Sequence, residues 1–150
     1  MPTTAQKAYF AVRAFNVELA SIKDGYHVRN TGLETHDGSI LALQVRMQWW
    51  RDALAEIYGE ERTSKDPAVQ RLSVSCWHSP VVRALHEAND DHQFTRRFLE
   101  RLIDAREADL DEQQYKTMNQ VKEYAEATVS SLLYLSLESV GVRREGPGCD

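Results

Sequence analysis

The stretch ILALQVRMQWWRDALAEI, residues 40–57, sets Leu43, Met47, Trp50, Leu54 and Ile57 at steps of four, three, four and three. That spacing puts all five on one face of an α-helix, and the alternation that a strand requires is missing. The helix is read from Ile40 to Tyr58, with Gly59 as its C-terminal stop.

The same period recurs upstream. Ala8, Val12, Phe15, Leu19 and Ile22 mark a first helix from Thr4 to Lys23. The polar stretch that follows, about residues 25–39, is expected to form a long loop. Downstream, Asp66-Pro67 and Ser79-Pro80 each read as an N-cap followed by proline in the first turn. They predict two short helices between Asp66 and Ala88, broken near His78. Thr95 is the expected cap of a helix whose apolar side carries Phe98, Leu99, Leu102 and Ile103. Thr117 and Gln120 form a capping box for a last helix, which should run through Val140 and stop at Gly141. Apolar residues surround that helix from Val129 to Val140, which predicts a central position. Residues 143–150 read as a frayed tail.

Composition narrows the function classes. The 150 residues are 42% hydrophobic and 27% charged, with a net charge of -5 and no basic stripe, so nucleic acid is not an expected partner. No apolar run is long enough to span a bilayer. Cys76 and Cys149 make no disulfide framework, which fits a reducing compartment. The stretch from Met1 to Lys7 carries neither an apolar signal core nor a basic amphipathic leader, and suggests a trimmed or incomplete chain.

Phosphate-binding glycine loops, nucleophile elbows and zinc helices are absent. His86 and His92, six apart, are read as surface or structural residues. Asp104, Glu107 and Asp111 share one helix side at steps of three and four. They form either an oxygen-ligand set for a divalent ion or a solvated face paired with Arg101 and Arg106. Arg51, after Trp49 and Trp50, suits either a phosphate or a carboxylate. Asn16, Ala20 and Asp24 fall on one stripe of the first helix.

Taken in order, several segments resemble the squalene/phytoene synthase family. Ala14 to Leu19 is similar to its first aspartate-rich helix, Gln48 to Leu54 to the Trp-Arg helix that follows, and Ser79 to Leu85 to a short Pro-led helix. Leu102 to Leu110, then Tyr115 and Tyr124, resemble the next two helices. The resemblance implies an all-α, isoprenoid-synthase-type helical bundle, of which residues 1–150 are the N-terminal part. It also implies magnesium held between two aspartate motifs, which grips a diphosphate leaving group.

The first of those motifs has an aspartate at each end of five residues. The matching span here is Ala20-Ser21-Ile22-Lys23-Asp24, which keeps one aspartate and adds a lysine. Val129-Ser130-Ser131 replaces an expected run of alanine and glycine. Phe15 to Ala20, Tyr124 to Thr128 and Ser130 to Leu135 resemble, more narrowly, the branch that assembles mitochondrial complex I.

That branch implies a non-catalytic role, with complex I subunits or assembly intermediates as partners and no cofactor. It implies a location on the matrix side of the inner membrane, with peripheral membrane contact. Asn16, Ala20, Asp24, Arg51, Asp104, Glu107, Tyr124 and Ser130 are then candidates for a vestigial pocket holding a lipid or prenyl ligand. The alternative is a magnesium-dependent prenyl-diphosphate transferase using Asp24, Arg51, Asp104 and Glu107. Either way, half a bundle should leave an apolar, association-prone face uncovered.

Overall fold

A computed structural model of the chain describes residues 3–29, 36–59, 76–110 and 114–142, with side chains described from 3 to 23 and from 40 onward in the first two segments. Six α-helices are described: α1 (Thr3–Arg29), α2 (His36–Ile57), α3 (Pro80–His92), α4 (Arg96–Ala108), α5 (Met118–Ala125) and α6 (Ser131–Glu138). A 3-10 turn at Cys76–His78 precedes α3, and a π-helical turn at Glu126–Ser130 joins α5 to α6. Among the described residues there is no strand.

α1 is the central element, packing against α2, α3, α4 and α6. Its first half is buried through Ala5, Ala8 and Ala11, whose small side chains allow a neighbouring helix to approach closely. Its second half buries Val12, Phe15, Leu19 and Ile22. Against these lie Leu43, Met47, Trp50, Leu54 and Ile57 from α2, the face read from the sequence. Phe15 meets Trp50 edge-on at 5.2 Å between ring centroids, and Trp49 meets Trp50 in the same manner at 4.9 Å. Val82 and Leu85 of α3 and Leu99, Leu102 and Ile103 of α4 complete the core. Each such aliphatic or aromatic side chain contributes about 1.5–3 kcal/mol by leaving water.

Three expectations need correction. First, α1 continues to Arg29 and α2 begins at His36, so 25–29 and 36–39 are helical, not loop. An isolated glycine costs a helix about 1 kcal/mol, too little for Gly25 or Gly38 to stop one where no proline follows. Residues 30–35 lie outside the described residues.

Second, α6 is not enclosed. Thr128, Ser131, Leu135, Glu138 and Ser139 are buried, whereas Val129, Leu133, Leu137 and Val140 are exposed, Leu133 at 59%. α1 and α4 cover one side of this helix, and the rest of its apolar girth faces outward. Third, the last helix is not uniformly α-helical. At its π-helical turn, Thr128 Oγ1 donates to the Tyr124 carbonyl at 2.8 Å and satisfies an acceptor at the widened turn.

Other local signals hold. Ser79 accepts from the Val82 amide, with Pro80 in the first turn of α3, and that helix runs four residues past the expected Ala88. The Thr117–Gln120 capping box forms in both directions. Gly141, at φ 82°, ends the last helix, with its N–H donating to Glu138 and that of Val142 to Leu137. The expected helix start at Asp66-Pro67, the tail from 143, Cys149 and Asp111 lie outside the described residues.

Candidate functional site

A cleft of about 100 Å³ opens between α1, α2 and α4. Leu19, Ala20 and Met47 supply its apolar wall, and Lys23, Arg106 and Asp109 its polar one. The helical period explains the mixture. Leu19 points to the core while Ala20, one residue on, lies at the edge of the buried stripe, and Lys23 stands nearly one turn further.

Lys23 and Asp109 pair across the cleft, whereas Arg106 meets a neutral phenol and keeps its Nε buried without a hydrogen-bond partner among the described residues. Lys23 Nζ donates to the Asp109 carbonyl at 2.5 Å and lies 3.2 Å from Asp109 Oδ2. The Tyr115 hydroxyl donates to Asp109 Oδ1 at 2.5 Å, so one carboxylate accepts from two elements. Arg106 Nη1 donates to the Tyr124 hydroxyl at 2.6 Å, and its guanidinium carbon lies 5.7 Å from the centre of the Tyr124 ring. The two tyrosine rings meet at 5.5 Å.

A second cluster joins α2 to α4. Arg51 Nη2 donates to Asp104 Oδ1 at 2.6 Å and to Glu107 Oε2 at 2.7 Å. Burial opposes the Arg51 charge, but its hydrogen bonds to Glu107 and Asp104 and their negative charges outweigh it, so the guanidinium is held above its ordinary value. Of the two uses open to Arg51, the carboxylate is realised. Arg101 and Arg106, the expected partners of Asp104 and Glu107, turn elsewhere: Arg101 lies 3.9 Å from Glu126, and Arg106 takes Tyr124. From α2, Arg51 reaches both acids, which sit one turn apart on α4.

The candidate residues therefore separate. Ala20 lines the cleft, and Tyr124 touches it through Arg106. Arg51, Asp104 and Glu107 form one ion cluster. Asn16 is half-buried on α1. Ser130 donates to Glu126 on its own helix at 2.6 Å. Asp24 is helical, but its side chain lies outside the described residues. His86 lies against Trp77 and Asp90, a structural setting.

Lys23, Met47, Arg106, Asp109 and Tyr115 were not picked out as site residues from the sequence. The lysine within Ala20 to Asp24 was the only signal, and its partner stands 86 residues away.

Magnesium would need several hard oxygen ligands in tight geometry. Where the first motif would place a carboxylate, Ala20 presents a methyl group. Lys23 brings an ammonium, and Arg51 engages Asp104 and Glu107. Among the described residues no three His, Cys, Asp or Glu side chains are grouped to hold a metal. The described residues at the cleft do not fit the ion.

A family model described as squalene/phytoene synthase matches residues 1–148. The chain is similar to proteins named "NADH dehydrogenase (ubiquinone) complex I, assembly factor 6", at 37% identity over 142 residues in Mus musculus and 34% over 143 residues in Homo sapiens. Both matches cover 95% of this chain and 35% of the relative. A Drosophila melanogaster protein named as a homolog of that factor is 29% identical over 143 residues, covering 95% of this chain and 37% of its own length. The chain thus spans about a third of the length of the curated relatives it matches. No solved structure matches it.

Proposed function

Because the chain belongs to the squalene/phytoene synthase family, with an all-α, isoprenoid-synthase-type fold, we propose that it serves the assembly of respiratory complex I and does not catalyse prenyl transfer. The observation that carries this reading is the cleft wall itself. A methyl group and an ammonium stand where diphosphate chemistry calls for metal-binding carboxylates. The likeness to the mammalian assembly factors supports the same reading.

The working partners in this proposal are complex I subunits or assembly intermediates, and the location is mitochondrial, on the matrix side of the inner membrane. Contact with the membrane is peripheral. Among the described residues no helix is long and apolar enough to cross a bilayer. The cleft is the proposed seat of a lipid or prenyl chain. At about 100 Å³ it is well below the roughly 300–1,000 Å³ of ordinary ligand pockets, so such a chain requires it to widen.

Affinity capture of the tagged full-length protein from mitochondria tests the proposal. Complex I subunits or intermediates should be enriched over an unrelated matrix protein, and their absence counts against the assembly role. Incubation with a prenyl diphosphate and magnesium should give no product above background. Turnover there would restore the transferase reading.

A further inference from the structure

We propose that α5 is a lid on the cleft, hinged at the π-helical turn Glu126–Ser130 and latched by the phenols of Tyr115 and Tyr124. Four observations combine. α5 has no buried residue, so nothing in the core holds it down. It is closed at its start by the reciprocal Thr117–Gln120 capping box, which satisfies its first free amides from within the segment. Its far end runs into a π-helical turn, a break in the regular hydrogen-bond ladder and a natural place for a helix to bend. Within that turn Thr128 is buried and Glu126 lies 3.9 Å from Arg101 of α4, which fixes its α4 side, and beyond it Ser131 is buried and α6 packs on α1 and α4.

The latch lies at the cleft. Tyr115 donates to Asp109 and Tyr124 accepts from Arg106, and both partners are among the six residues lining the cavity. The ring contact between the two tyrosines makes them act together. All four side chains are only part-buried, so each contact is weak enough to break and reform. A capped helix, a hinge and a polar latch on the rim together make an opening device. Its open form is the one that admits a molecule of more than a few atoms, whatever that molecule is.

The test is a distance measurement across the cleft. Spin labels go on Asn119→Cys of α5 and Gln44→Cys of α2, both exposed positions. Cys149→Ser removes the second thiol, and buried Cys76 stays in place. The otherwise native chain should show one dominant distance. Adding Tyr115→Phe with Tyr124→Phe keeps the rings and removes both latch hydrogen bonds. It should raise a longer-distance population about fivefold, the scale expected for losing two part-exposed hydrogen bonds.

Hydrogen exchange across α5 should stay unchanged in the double variant, because the helix moves as a unit. Identical distance distributions in the two proteins would overturn the proposal. So would loss of α5 amide protection without a second distance, since the tyrosines would then only stabilise the helix.

Discussion

At Tyr58, burial lifts the phenol above its ordinary value of 10.0, the Glu138 carboxylate adds to the rise, and Arg96 works against it. The hydroxyl donates to the Phe94 carbonyl at 2.7 Å. A raised value means the folded chain holds that proton more tightly than the unfolded one does. The resulting stability is whole below pH 10 and is lost as pH climbs from there through the folded value. Tyr58→Phe has no phenol to titrate, so its Tm should fall less than that of the wild type between about pH 9 and about pH 11. Equal falls would show that other groups carry the alkaline loss. Residue types alone gave part of the site: an arginine suited to a carboxylate, and two acids one helical turn apart. Which arginine meets which acid was not legible, because Arg51 and Glu107 are 56 residues apart. Local periodicity carries no information at that range.

Among the elements, the caps divide into local and tertiary kinds. Thr117 closes α5 with its own neighbour, as its sequence spacing indicates. Thr95 stands at the start of α4, but its hydroxyl makes no cap bond. Instead Glu138 of α6 accepts from the Thr95 amide at 2.9 Å and from its hydroxyl at 2.5 Å. This buried carboxylate binds two helices into one corner. Gly141 is a local stop of the first kind. Its φ of 82° falls where an L side chain is strained, and an added Cβ would meet nothing within 4 Å. Gly141→Ala should therefore cost about 1 kcal/mol through backbone conformation alone, seen as a lower urea midpoint at unchanged slope. A neutral result would mean that the last turn rearranges without penalty. The π-helical turn was not legible, since the sequence through it keeps ordinary helical spacing.

At the scale of the whole molecule, one face of the last helix remains open. Val129, Leu133, Leu137 and Val140 recur at steps of four, four and three, and every one is exposed. An apolar stripe of this kind favours association. The 150-residue chain should sediment as a concentration-dependent mixture, and Leu133→Glu with Leu137→Lys should shift it to monomer. A native chain that stays monomeric at all concentrations would contradict this. By itself, the sequence determined that the chain is helical, where most of the described helices start, and which faces of α1, α2 and α4 are apolar. Those features depend on interactions within about four residues along the chain. Only the tertiary structure decided that α6 is covered on one side and that Lys23 meets Asp109 at the cleft. Each depends on what packs against a helix from far along the chain, and a one-dimensional pattern does not encode that neighbour.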